Sequence, residues 1–240
     1  MNLNDINFKI YGTALKGTIV LLHGWGQNIE MMDMLGHPFE KEYRILVLDL
    51  PGFGKTPEPE QPFCVEDYAI VLNKFLKRHK INDPILVGHS FGGRVAIKYA
   101  SMYKTTKVVL LSAPFRPGKK AQPTIRTKVF NFVKKFKCLH KLADYLRNKW
   151  GSEDYRNATP INRGTLVRVV NEDLTKDARK IKCPVFLIYG SKDTAVPLEE
   201  AKKLKTLIKD CGLFVCEEGT HYAYLEQLDQ TIAIMQKFFE

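Results

Sequence analysis

The sequence predicts an α/β fold built on a mostly parallel central sheet, with helices on both faces. Two observations predict it. Short runs rich in Val, Ile and Leu are apolar at nearly every position rather than at alternate ones, and stretches of helical periodicity separate them. A strand that is apolar throughout is buried on both faces, which requires helices above and below the sheet. The length of 240 residues is compatible with a single domain holding a sizeable core.

Taken in order, residues 7–12 read as an initial strand and residues 18–22 as a buried one. Residues 44–48 form a third, ended by the turn Pro51-Gly52-Phe53-Gly54. Residues 65–80 are predicted helical, because Tyr68, Leu72, Phe75 and Leu76 recur at three- and four-residue steps. A strand at 85–87 and a helix at 93–102 come next, then strands at 107–111 and 184–189. An amphipathic helix at 198–209, a last strand at 213–215 and a closing helix at 231–239 complete the alternation. Between residues 114 and 175 no buried strand is found. There Val129, Phe132, Val133, Phe136, Leu139, Ala143, Leu146 and Trp150 form an apolar helical stripe beside a Lys/Arg face. We read one domain, with a core of 1–113 and 176–240 and a helical lid over about 114–175.

Charge is concentrated in that insertion. The net charge is +11, yet residues 116–150 alone hold eleven Lys or Arg and one acid, Asp144. A basic patch confined to one segment could guide an anionic partner, such as an acyl-carrier protein, a coenzyme A thioester or an anionic lipid surface, by its field. No motif that reads nucleic acid accompanies it. The five cysteines (64, 138, 183, 211 and 216) form no C-x-x-C pair, which suits reduced thiols in a cytoplasmic protein. The first residues lack a basic-then-apolar leader, and no apolar run approaches the roughly 20 residues that span a bilayer. The oligomeric state is left open.

The most informative motif is Gly88-His89-Ser90-Phe91-Gly92-Gly93, set between an apolar strand and a helix. A serine between glycines at a strand-to-helix turn is the signature of a nucleophile elbow. The glycines allow a turn too sharp for side chains, so the hydroxyl of Ser90 is presented on a strained backbone. The same turn puts the Phe91 amide at a helix N-terminus, where a developing negative charge is favoured.

Three further pieces sit just past predicted strands. His23-Gly24-Trp25-Gly26 can direct a backbone amide, that of Trp25, toward Ser90, with His23 itself a structural residue. Gly190-Ser191-Lys192-Asp193 places a carboxylate on a loop, and Gly219-Thr220-His221 places an imidazole after the last strand. Each alone is an ordinary turn or surface residue. In the order Ser90, Asp193, His221 they resemble the α/β-hydrolase superfamily, whose triads run nucleophile, acid, histidine. The resemblance spans nearly the whole chain and includes Asp49-Leu50-Pro51-Gly52-Phe53-Gly54. It implies antiparallel pairing at the start of the sheet and a lid entering after the sixth strand, near Ser112.

Roles follow from the chemistry. Neutral serine is a poor nucleophile, so His221 should take its proton and return it to the leaving group, while Asp193 fixes the imidazole tautomer. The Trp25 and Phe91 amides would hold the oxyanion, and no metal or organic cofactor is required. Trp25, Phe91, Arg94, Phe115, Val196 and Tyr222 are the expected substrate-binding residues, with His89, Glu217 and Glu218 in support. A serine nucleophile argues against halide displacement and epoxide opening, which use a carboxylate at that position. The leading expectation is hydrolysis of a small-molecule carboxylic ester of small to medium acyl length through an acyl-serine intermediate. His-Gly-Trp-Gly with a basic lid is similar to the pimeloyl-ester carboxylesterases, which act on acyl-carrier-protein esters. Ser90-Phe91-Gly92-Gly93-Arg94 is similar to the elbow of the menaquinone-pathway lyases, where the arginine meets a substrate carboxylate; Arg94 can equally be structural. Thioester hydrolysis, carbon–carbon bond hydrolysis or lysis of a carboxylated metabolite, and a non-catalytic ligand-binding module stay open.

Overall fold

The structure is a computed structural model and describes residues 1–118 and 153–240. Seven strands form one sheet: β1 (Phe8–Gly12), β2 (Thr18–Leu22), β3 (Arg44–Leu48), β4 (Ile85–His89), β5 (Lys107–Leu111), β6 (Val185–Gly190) and β7 (Cys211–Cys216). Their spatial order is β1-β3-β2-β4-β5-β6-β7, with β1 antiparallel to β3 and every other pair parallel. This is the α/β-hydrolase fold the sequence predicts. The chain steps from β2 outward to β3 and then back across to β4, so the order reverses between β2 and β4. Ligands of open α/β sheets bind beyond the strand ends at such a reversal.

Both faces of the sheet are covered, and the pleat divides the apolar runs between them. Val20 and Leu22 join Leu46, Leu48, Leu86, Val108 and Leu110 in one core. Ile19 and Leu21 join Ile45, Val47, Ile85, Val87 and Val109 in the other. The first core is capped by α2 (Val65–Arg78) and α3 (Phe91–Met102), which bury Tyr68, Leu72, Phe75 and Leu76, and Val95, Ala96 and Ile97. α1 (Glu30–Asp33) contributes Met32 to the second core, beside Met235 and Phe239 of the closing helix. α2 stops at Arg78 rather than Lys80, because Lys80 is in the left-handed region at φ 55°.

Between β5 and β6 the described residues form three helices and no strand: α4 (Glu153–Asn157), α5 (Pro160–Asn171) and α6 (Thr175–Ala178). α5 lies against the β3–α2 connection. The Asn162 amide donates to the Gly52 carbonyl (2.9 Å), and Thr165 Oγ1 accepts the Phe63 N–H (3.0 Å). The expected stripe from Val129 to Trp150 and nearly all of the basic face lie outside the described residues. The insertion departs near Ser112 after the fifth strand, not the sixth, because β1 is the sheet's single antiparallel strand. Two more helices, α7 (Leu198–Leu207) and α9 (Leu228–Phe239), differ from expectation only at their ends, and a short helix not expected from the sequence, α8 (Ala223–Glu226), lies between them. No helix among the described residues is long and apolar enough to cross a membrane.

Candidate active site

At the β4–α3 junction Ser90 has φ 48° and ψ −109°, a conformation that costs a non-glycine residue energy. Tight packing enforces it. A Cβ on Gly92 would lie 2.2 Å from the Leu22 carbonyl oxygen, and one on Gly88 would lie 2.5 Å from the Gly92 carbonyl oxygen. The start of α3 is therefore wedged against the end of β2, which brings the His23–Gly26 turn beside the serine. The Ser90 N–H donates to the Leu111 carbonyl (2.9 Å), fixing the elbow to the neighbouring strand.

His221 enters from the loop after β7. Its Nε2 lies 3.0 Å from Ser90 Oγ, and its Nδ1 lies 2.8 Å from Asp193 Oδ2. The Asp193 carboxylate is buried; its other oxygen accepts the Ala195 and Val196 N–H groups, each at 2.8 Å. Burial works to raise its pKa, but the bonds from His221, Val196 and Ala195 outweigh it and hold the carboxyl below its ordinary value. The two loops that carry Asp193 and His221 are stitched together: Ser191 N–H donates to the Cys216 carbonyl and Lys192 N–H to the Gly219 carbonyl, both at 2.9 Å. With Nδ1–H donating to Asp193, the Nε2 lone pair faces the serine hydroxyl. Such a relay can withdraw a proton from Ser90 and hold the resulting imidazolium against a fixed anion.

Among the described residues, the amides of Trp25 and Phe91 donate to no protein group. The Phe91 amide is the first of α3, where no intrahelical acceptor exists. The Trp25 and Phe91 rings pack edge to face, 5.3 Å between centroids, with Phe53 and Tyr68 completing an aromatic wall. His23 faces the core: Nδ1–H donates to the Gly24 carbonyl (2.7 Å), and Nε2 accepts the Leu50 N–H (2.9 Å). Asp49 is likewise structural, accepting from the Ile29 and Lys55 amides, each at 2.8 Å.

Of the six expected substrate-binding residues, the structure buries the side chains of four. Arg94 is 3% exposed, and its guanidinium donates to the Pro114 and Glu172 main-chain carbonyls. Burial lowers its pKa to about 10. It clasps the two roots of the insertion instead of meeting a substrate carboxylate. The Phe91, Phe115 and Val196 side chains are core residues, at 3%, 1% and 4% exposure, so Phe91 reaches the site through its amide alone. Tyr222 is exposed and its ring lies 5.6 Å from that of His221, so it borders the site, and Trp25 is partly exposed. Sequence reasoning missed Phe53 and Gln27. Both stand in glycine-rich turns after strands, where their positions were visible and their orientation was not. No group of three or more metal-binding side chains occurs among the described residues.

The family model for serine aminopeptidase, S33 (Hydrolase_4), matches residues 13–227. The chain belongs to this family of α/β-hydrolases. Relatives of this hydrolase family include the AB hydrolase superfamily protein YisY of Bacillus subtilis, 26% identical over 92% of this chain and 90% of that one. The pimeloyl-[acyl-carrier protein] methyl ester esterase of Neisseria meningitidis serogroup C is 28% identical over 92% of this chain and 93% of its own length. The esterase from Exiguobacterium antarcticum shares the fold at a TM-score of 0.76 and 21% identity, covering 98% of this chain and 95% of that one. The enol-lactonase from Burkholderia xenovorans does so at 0.75 and 21%, covering 97% and 95%.

Proposed function

We propose that this hydrolase cleaves carboxylic esters of small to medium acyl groups through an acyl-serine intermediate. The observation that carries the reading is the unbroken chain Ser90 Oγ–His221 Nε2 (3.0 Å) and His221 Nδ1–Asp193 Oδ2 (2.8 Å). His221 takes the Ser90 proton as Oγ bonds to the acyl carbon, and the carbonyl electron pair moves onto oxygen. The Trp25 and Phe91 amides hold that oxyanion. Its collapse breaks the bond to the alkoxide, which leaves with the proton from His221. Water, deprotonated by the same imidazole, then releases the acid and restores Ser90. The partly exposed Trp25, backed by the buried Phe53 and Phe91 rings, offers the acyl group an apolar surface. Free thiols at Cys64, Cys183, Cys211 and Cys216 suit a cytoplasmic enzyme.

A second reading, an ester carried on an acyl-carrier protein, is favoured by the pimeloyl-ester relatives and by the basic segment of residues 116–150. The carbon–carbon lyase reading loses its support, since it rested on Arg94 meeting a carboxylate. The test is Ser90→Ala against p-nitrophenyl esters of increasing chain length, with acyl-carrier protein and acyl-CoA as competitors. Turnover and labelling by a fluorophosphonate probe should both vanish in a folded variant. Retained hydrolysis by Ser90→Ala refutes the assignment, and competition by acyl-carrier protein alone favours the carrier ester.

A further inference from the structure

The His23 imidazole is fully buried and takes no part in the proton relay, yet one peptide unit connects it to the oxyanion site. The Leu50 N–H donates to His23 Nε2 at 2.9 Å, so that nitrogen presents its lone pair and the single proton of the neutral ring sits on Nδ1. Nδ1–H in turn donates to the Gly24 carbonyl at 2.7 Å. One lone pair meets one donor and one N–H meets one acceptor, so a single tautomer satisfies both bonds together. Burial pulls the His23 pKa down, against the opposing effect of the Gly24 carbonyl, and favours that neutral form.

The Gly24 carbonyl and the Trp25 N–H belong to the same peptide unit. That unit is trans and planar, so its C=O and N–H point in opposite directions. A carbonyl drawn toward a fully buried ring therefore turns the Trp25 N–H out of the core, where it donates to no group among the described residues. The Gln27 N–H also donates to the Gly24 carbonyl, but at 3.3 Å, which leaves the imidazole as the closer donor. The rest of the turn is held by the Gly24 N–H on Gln27 Oε1 and the Ile29 N–H on Asp49 Oδ1, each at 2.8 Å. A Cβ on Gly92 would lie 2.6 Å from the His23 carbonyl oxygen, so α3, which opens with the Phe91 amide, packs directly on this turn.

We propose that His23 aims the oxyanion donor: its Nδ1–H holds the Gly24–Trp25 peptide with the amide toward Ser90 and opposes the flip that would present the Gly24 oxygen instead. This rests on the reading of Ser90 as nucleophile and of the Trp25 amide as an oxyanion donor. His23 touches no reacting atom and is a positioning residue. A flipped peptide removes one donor and sets a carbonyl oxygen against the developing charge, and losing one such donor costs roughly 100- to 1,000-fold in kcat.

Two amide substitutions in the full chain separate the two ends of the ring. His23→Asn sets its NH₂ where Nδ1 stands and keeps the bond to Gly24, whereas His23→Gln reaches the Nε2 position, keeps an oxygen for the Leu50 N–H and strips the Gly24 carbonyl of its closer donor. Each loses one hydrogen bond, so a merely structural ring would give equal damage. The readouts are kcat and KM for p-nitrophenyl butyrate, the inhibition constant of a trifluoromethyl ketone that forms a tetrahedral adduct on Ser90, and the thermal midpoint. His23→Gln should lower kcat and ketone affinity each by roughly 10- to 100-fold, less than a whole donor because the Gln27 N–H stays in place. Its KM should change by less than about threefold. His23→Asn should keep kcat and ketone affinity within about threefold of wild type, at a thermal midpoint similar to that of His23→Gln. Equal losses in the two variants, or wild-type kcat or ketone affinity in His23→Gln, overturn the proposal. Should either variant not fold, the side-chain nitrogen-15 signals of His23 in the wild-type chain decide: a proton on Nδ1 upholds the proposal, and a proton on Nε2 overturns it. Turnover surviving in Ser90→Ala overturns the nucleophile reading instead, whereas a dead Ser90→Ala beside a fully active His23→Gln overturns only the role of His23.

Discussion

Replacing Asp193 by Asn should silence the enzyme by fixing the wrong tautomer of His221. Asp193 Oδ1 accepts two main-chain amides at 2.8 Å, those of Ala195 and Val196, while Oδ2 accepts His221 Nδ1–H. Asparagine has one oxygen and one NH₂ to fill these places. With its oxygen kept on the two amides, the NH₂ points at Nδ1, which must then become an acceptor. The proton moves to Nε2, and the ring can no longer accept from Ser90. Turning the amide over restores the acceptor for His221 but sets NH₂ against two N–H groups. An unpaired buried donor costs about 1–3 kcal/mol, the Val196 amide being fully buried and the Ala195 amide nearer solvent. The productive arrangement is therefore disfavoured by about 2–6 kcal/mol, or roughly 30- to 26,000-fold in kcat at 1.36 kcal/mol per decade. Steady-state hydrolysis of p-nitrophenyl butyrate measures it, with circular dichroism to verify folding. Asp193→Ala, which imposes no tautomer, should be at least as active as Asp193→Asn. A folded Asp193→Asn with kcat within about threefold of wild type would refute the reasoning.

Three further outcomes are expected. Gly92→Ala places a methyl 2.2 Å from a backbone carbonyl that cannot move aside, so it should lower stability by about 1–3 kcal/mol or more and depress activity with it; an unchanged thermal midpoint contradicts the packing argument. Arg94→Met strips the Pro114 and Glu172 carbonyls of a charged donor, costing about 2–4 kcal/mol in urea melts. It should alter kcat/KM on carboxylated and neutral esters by one common factor, and a loss confined to carboxylated esters would restore Arg94 as a substrate contact. His89, depressed to about 3 against 6.5 when unfolded, stabilises the fold fully above pH 6.5 and progressively less as pH falls toward 3. Urea melts between pH 7 and pH 4 should show His89→Phe losing less stability on acidification than wild type, and parallel curves would rule this out.

What the sequence reveals follows from how each residue is used. Ile19 to Leu22 are apolar at every position because both faces of β2 are covered, so strand and sheet type are legible together. The elbow is legible because Gly88 and Gly92 are required sterically. β7 extends over Cys211–Cys216, wider than the Leu213–Val215 run, since its half-exposed positions tolerate cysteine and glycine and blur the pattern. α3 begins at Phe91 in spite of two glycines, as tertiary packing outweighs their poor propensity. Arg94 is ambiguous between a substrate contact and a structural role, because nothing local tells a guanidinium facing a ligand from one facing carbonyls of a segment 78 positions away.

The roots of the insertion have a consequence for how such a chain can diversify. Leu174 N–H donates to the Phe115 carbonyl at 2.8 Å, and Arg94 ties Pro114 to Glu172, so the exit and return points are held one hydrogen bond apart. The two ends of the segment between them are thus fastened together by the core itself. Doubling the length of a flexible stretch closed in this way costs only about 0.6 kcal/mol. Length changes between these anchors should therefore be tolerated, while the sheet keeps Ser90, Asp193 and His221 in register.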